Sequence, residues 1–96
     1  MQNLTGKWTS GDGMTYQIVQ VGESVFISGA GNGYHNVGFG TIDADSKSLI
    51  MQWADTPDSG GFGSKGNCYI DISAPGVMRK QAGSARYGIG NFNKVS

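Results

Sequence analysis

The chain has 96 residues and a mass of 10.1 kDa, so we expect one domain over residues 1–96, built around one hydrophobic core. Seven Lys and Arg residues balance seven Asp and Glu residues, and no cluster of positive charge is present that could bind nucleic acid or anionic lipid. No apolar run approaches the roughly 18 residues that cross a bilayer. Neither nucleic acid nor a membrane is therefore an expected partner.

Short runs rich in Val, Ile, Thr and aromatic residues alternate with turn-forming residues along the chain, and apolar residues do not recur at helical spacing. The predicted strands, in chain order, are LTGKWT, GMTYQIVQV, VFISG, VGFGTI, SLIMQW, NCYIDI, GVMRK and YGIGNFNKV. This spacing is typical of an up-and-down antiparallel sheet, and closing the sheet would remove both exposed edges. The sequence therefore predicts an all-β fold, a single up-and-down antiparallel β-barrel of about eight short strands.

Alternation along a strand predicts which side chains share a face. Three sets are Tyr16, Ile18 and Gln20; Leu49, Met51 and Trp53; and Cys68, Ile70 and Ile72. The last set predicts that Cys68 is a core residue with an inert thiol. Other strands carry apolar residues on both faces. We therefore expect the outer wall to be covered by another copy of the barrel, which makes a homo-oligomer.

The opening Gly6–Lys7–Trp8 element resembles the first strand of avidin-like and other calycin (lipocalin-like) barrels, in which a Gly-x-Trp element plugs one end. The order of elements over residues 4–72 is also similar to small bacterial β-barrel domains of unknown function. The matching elements are Gly-x-Trp at 6–8, Tyr-x-Ile-x-Gln at 16–20, Gly-Thr-Ile at 40–42 and Trp-Ala-Asp-x-Pro at 53–57. The resemblance implies a calycin-like barrel with Trp8 as its floor. Biotin binding is not implied, because the loop after Trp8 lacks the Asn and Ser pair of avidins.

The two longest predicted loops, GAGNGYHN and ADTPDSGGFGSKG, place aromatic and polar residues at one barrel end. An aromatic ring can cover the apolar face of a sugar, while Asp and Asn side chains bond to its hydroxyls. The candidate ligand-binding residues are Trp53, Asp55, Tyr34, His35 and Asn36, with Phe62 as a mobile lid. The alternative is a structural role for the same residues. In that interpretation, Trp53 is the last packed aromatic residue of its strand and Asp55 organises the turn through hydrogen bonds to backbone N–H groups.

Catalytic machinery is not expected. His35 is the only histidine, and the predicted core position of Cys68 removes it as a nucleophile. The loop carboxylates, such as Asp43 and Asp45, are typical of tight turns, with calcium binding as the alternative. We therefore expect a non-enzymatic protein with no metal site and no cofactor.

The cellular location is indicated only indirectly. The first residues show no basic region followed by an apolar run, the pattern of a secretory signal. A single cysteine cannot form an internal disulfide, and such cysteine usage favours a reducing compartment. We therefore expect the cytoplasm.

The leading hypothesis is a module that binds a small molecule or saccharide at the open end of the barrel. The alternative is a structural or protein-interaction module with a fully packed barrel, which oligomerises or binds a partner protein through its wall. A hydrolase or isomerase built on a barrel carboxylate is a third hypothesis. One feature separates the first two: a ligand barrel leaves polar groups facing an unfilled mouth, whereas an interaction module fills its barrel and exposes an apolar wall.

Overall fold

The computed structural model describes residues 3–11, 13–43, 45, 47–61, 63–81 and 91–96. Its strands close into one antiparallel barrel in which each strand pairs with its neighbours in sequence and the last pairs with the first. The strands are β1 Gly6–Thr9, β2 Thr15–Val21, β3 Ser24–Gly31, β4 Tyr34–Ile42, β5 Ser48–Pro57, β6 Lys65–Asp71, β7 Val77–Lys80 and β8 Phe92–Lys94. The predicted all-β fold and eight-stranded up-and-down barrel are confirmed. Within the described ranges, no helix is long and apolar enough to cross a membrane.

The connection between β3 and β4 is much shorter than the sequence predicts. Both strands extend into the predicted loop GAGNGYHN, and only Asn32 and Gly33 remain as the turn. These two residues have φ values of 54° and 81°. Positive φ at both central positions defines a two-residue hairpin turn whose twist matches that of the strands, so the ladder continues up to the turn. Tyr34, His35 and Asn36 are therefore strand residues.

We call the barrel end that carries the Asn32–Gly33 turn and the loop 58–64 the upper end. The opposite end, which carries the Gly22–Glu23 turn, is the lower end. The barrel interior is filled by apolar side chains. They are Leu4, Trp8, Met14, Tyr16, Ile18, Val25, Ile27, Ile42, Leu49, Met51, Trp53, Cys68, Ile70, Ile72, Met78 and Phe92. This list includes the three sets that were predicted to share a face on β2, β5 and β6, except that Gln20 is half-buried.

Aromatic residues fix the centre of this core. The Trp8 side chain is fully buried, and its Nε1–H donates a hydrogen bond to the carbonyl oxygen of Leu4 at 2.8 Å. The Tyr16 and Phe92 rings meet edge to face, with 4.9 Å between their centroids and 80° between their planes. Cys68 is a buried free thiol, as its position on the inner face of β6 predicts. The prediction that Trp8 packs is therefore confirmed.

Glycine makes room for large side chains where β4 faces β5. Gly38 pairs with Trp53 and Gly40 pairs with Met51 across the ladder. A Cβ atom at Gly40 would lie 2.7 Å from the Met51 Cβ and 2.8 Å from the carbonyl oxygen of Ile50. Neither atom can move without shifting the backbone. The close approach of these two strands therefore depends on the missing side chain at position 40.

We predict that Gly40→Ala destabilises the barrel by about 1–3 kcal/mol, since extra volume in a packed core forces the backbone apart. Gly38→Ala is the matched control on the same strand. The atom nearest to its added Cβ is the flexible Met51 Cε, and the next, the Gln52 carbonyl oxygen, is 3.4 Å away. Urea unfolding should therefore show a smaller loss for Gly38→Ala. Equal losses would contradict a steric role specific to Gly40.

Candidate functional site

Four of the six predicted ligand-binding residues share the inner face of the barrel near its upper end. Asn36 on β4 and Asp55 on β5 are direct ladder partners. Their Cβ atoms are therefore about 5 Å apart. Trp53 lies two residues before Asp55 on β5, and Tyr34 begins β4 and packs against the core. The structure thus brings together one carboxyl, one amide and two aromatic side chains.

Two members of this cluster are core residues rather than rim residues. Asn36 is 2% exposed and Trp53 is 5% exposed. A Cβ atom at Gly29 would lie 2.6 Å from Asn36 Oδ1 and 2.8 Å from Tyr16 Cε1. The Asn36 amide therefore lies across Gly29 close to the Tyr16 ring, and the space between β2 and β4 is filled at this level. This arrangement favours the packing interpretation of Trp53.

Asp55 is the most distinctive polar group of the cluster. It is half-buried on the inner face, and burial raises the pKa of its carboxyl above the ordinary value of 3.8. Its backbone N–H donates to the carbonyl oxygen of Ser64 at 2.7 Å. A Cβ atom at Gly63 would lie 2.7 Å from the Asp55 Cβ, so the end of the loop 58–64 lies directly against this residue. Asp55 is therefore a partly desolvated carboxyl with the loop packed against it.

His35 does not join the cluster. It lies on the outer face, because neighbouring residues of a strand point to opposite sides and Asn36 points inward. Its Nδ1 is 2.7 Å from Asp58 Oδ1, and both side chains are more than half exposed. An exposed pair of this kind contributes about 0–1 kcal/mol. Phe62, the predicted lid, lies outside the described residues.

The described part of the chain contains no group of three or more His, Cys, Asp or Glu residues that could hold a metal ion. Asp45 acts as a turn residue, since its Oδ1 accepts a hydrogen bond from the backbone N–H of Lys47 at 2.9 Å. This is the local arrangement that the sequence pattern DADSKS predicts.

A feature that the sequence indicated only in outline lies on the outside of the barrel. Seven large apolar side chains on β2–β6 are 40–63% exposed: Val19, Val21, Phe26, Val37, Phe39, Ile50 and Tyr69. We call these residues the apolar wall. The ladder joins Val19 to Phe26 and Phe26 to Phe39, and the rings of the last two are 5.1 Å apart. The outward positions of β2–β5 carry no Lys, Arg, Asp or Glu.

A groove of about 360 Å³ crosses this wall on β4–β6. Its floor is formed by Gly40 and Met51, which are ladder partners. Its sides are formed by Phe39, Thr41, Ile50, Gln52, Asn67 and Tyr69. The sequence carried a signal for this surface, because adjacent apolar pairs such as Val25–Phe26 and Leu49–Ile50 must place one residue on each face. Only the ladder register shows that the outward members are contiguous.

Comparison of the chain with family models, curated proteins and solved structures found no match. The similarity to calycin barrels therefore stays a prediction from the quoted motifs.

The raised pKa of Asp55 predicts a specific pH dependence. A carboxyl whose pKa is higher in the folded state than in the unfolded state favours folding at low pH. This contribution is lost as pH rises from about 3.8 through the raised pKa. We expect Asp55→Asn to remove the effect, so that the variant gains stability relative to wild type as pH rises through this window.

The measurement is urea unfolding at a series of pH values from about 3 to 7. Glu23→Gln, which changes an exposed carboxylate at the lower end, controls for the loss of one negative charge. A stability difference between wild type and Asp55→Asn that does not change with pH would contradict the burial of this carboxyl.

Proposed function

We propose that this chain is a non-enzymatic protein-interaction module that buries its apolar wall against protein. The observation that carries the proposal is the exposed, contiguous and uncharged wall on a barrel that its own side chains fill. Soluble proteins seldom leave such a surface in water, because each exposed apolar group loses the free energy of burial. The mouth residues, in contrast, are largely buried.

The size of the wall supports an interface. Seven side chains at about half exposure present on the order of 600 Å² of apolar surface. A stable interface buries about 800 Å² on each partner, of which the central part is apolar. The wall, together with the polar residues between its members, is therefore large enough for a specific contact. It extends over five of the barrel strands, so one flat partner covers only part of it.

Among the described residues, the separation of the cysteine from the histidine supports a non-enzymatic role. Cys68 is buried in the core, and His35 points outward to Asp58. Nucleophilic catalysis requires a base within hydrogen-bond reach of the nucleophile. Among the described residues, Cys68 and His35 lie on opposite faces of the barrel wall and cannot form such a pair.

Site-specific photo-crosslinking tests this proposal. We expect Phe39→benzoylphenylalanine, expressed in the native host, to form a covalent adduct with a protein chain, because Phe39 lies in the middle of the wall. The adduct is detected on denaturing gels and its mass is measured.

Val95→benzoylphenylalanine is the matched control, since Val95 is a 60% exposed apolar residue outside the wall. A protein adduct at position 39 and none at position 95 is the expected result. Absence of a protein adduct at position 39, or equal adducts at both positions, would contradict the proposal.

A second candidate function is binding of a small molecule or saccharide at the upper end, and one observation favours it. Asn36 and Asp55 place an amide and a partly desolvated carboxyl side by side on the inner face, beside Tyr34. The Asp55 carboxylate of this pair can accept hydrogen bonds from hydroxyl groups next to an aromatic ring. The ligand would enter beside Asp55, since Asn36 is closed off by packing.

Native mass spectrometry of the protein purified from its own source tests this second function. A small added mass on wild type that is lost in Asp55→Asn is the expected result. Asp58→Asn is the control at the same barrel end, because the Asp58 carboxylate faces outward. Binding at this site would be contradicted if the wild type carried no added mass, or if Asp55→Asn retained the same added mass as the wild type.

A further inference from the structure

Charged residues at the edge of the apolar wall are separated along the barrel axis. One ladder row joins Lys7 on β1 to Lys65, which is the first residue of β6 and lies at the upper end. Between them lie Gln17, Ser28, Val37 and Ala54. The lower end of the wall carries Glu23 and Asp71. On β6 the wall is therefore bounded by a basic residue, Lys65, at the upper end and by an acidic residue, Asp71, at the lower end.

Charged groups near both ends also have partners within the chain. Asp58 at the upper end pairs with His35. Hydrogen bonds from Ser73 lower the pKa of Asp71, with further attraction from Arg79 and Lys47. Asp71 is thus held as a carboxylate on the outer edge of β6.

From this separation and from the groove we infer that the wall binds a second copy of this chain, inverted end for end, through β4–β6. The inference rests on the proposed function. The two-fold axis lies along the ladder row Gly40–Met51–Cys68, whose side chains point inward. Lys65 precedes Cys68 by three residues and Asp71 follows it by three. Inversion about this row therefore places Lys65 of each copy opposite Asp71 of the other.

The groove has the same symmetry. Its floor contains Gly40 and Met51, and its sides flank this row in pairs: Phe39 and Thr41, Gln52 and Ile50, Asn67 and Tyr69. Inversion exchanges the members of each pair, so a bulky side chain of one copy lies over a smaller or polar one of the other. A contact in which the same patch is used by both copies must be complementary to itself in this way.

The curvature of the barrel limits the contact to these strands. Adjacent strands of an eight-stranded barrel turn by about 45° around the axis, so a facing copy reaches about three strands. Val19 and Val21 on β2 lie outside this contact. The charged pairs lie at its edge, where they set orientation more than affinity.

Charge reversal tests the arrangement by sedimentation velocity over a range of concentrations. Lys65→Glu and Asp71→Lys should each form dimers about tenfold more weakly than wild type, since each places like charges opposite one another twice. An equimolar mixture of the two variants should recover the wild-type dimer, because in the mixed dimer both facing pairs again have opposite charges.

Lys7→Glu is the control, since Lys7 belongs to the same ladder row but lies outside β4–β6. It should dimerise as wild type does. Circular dichroism melting of every variant shows whether the fold is retained. The inverted arrangement would be overturned if the mixture dimerised no more tightly than the separate variants. It would also be overturned if Lys7→Glu weakened dimerisation as much as the other two changes.

The adduct at position 39 distinguishes a failure of the inverted dimer from a failure of the interaction module. An adduct of twice the chain mass, with its second attachment point near Thr41, supports the inverted dimer. An adduct with a different protein would overturn the dimer while leaving the interaction module standing. A monomer at all concentrations that also gives no adduct would overturn both.

Discussion

The barrel depends on closure of the sheet between β1 and β8. This seam is short: Trp8 pairs with Lys94 and Thr9 with Asn93, and backbone bonds between Lys7 and the last two residues extend it. Closure gives every strand a neighbour on each side, which protects sheet edges from pairing with other chains. Closure also fixes the volume of the barrel interior. Side chains on the inner face must fill this volume, whereas side chains on the outer face contact water or a partner.

The division between the two faces explains why the outside is the better candidate for function. The side chains of Tyr16, Phe92 and Trp8 are buried inside the barrel, and those of Trp53 and Asn36 are buried near its upper end. Among the described mouth residues, Tyr34 and the carboxyl of Asp55 are half-buried. The outer wall, in contrast, combines a large apolar area and an uncharged middle with Lys65 and Asp71 at opposite ends of β6, which are features typical of an interaction surface.

The strand number and the inner face of β6 could be predicted from the sequence, because the alternation in β6 leaves one interpretation. On β2 and β5, alternation groups the side chains into two faces without saying which one is inner. The candidate site was harder to predict. The Asn32–Gly33 turn determines whether His35 or Asn36 faces inward, because it fixes which residue begins β4. The sequence predicts a longer loop here, so it does not predict these orientations. The Asn-Gly pair was a readable signal for that turn. The contiguity of the wall depends on the register of five strands, which alternation within single strands does not contain.

The orientation of β4 is set by side-chain volume rather than by hydrophobicity. In the middle of the strand, Val37 and Phe39 face outward, and Asn36, Gly38 and Gly40 face the core. Hydrophobicity would choose the opposite orientation. Volume decides instead, since the Met51 and Trp53 side chains already fill the space in front of β4 and only a glycine-lined face fits against them. Slippage of β4 by one residue is thus prevented by size exclusion, and a substitution at position 40 acts on the alignment of the whole strand.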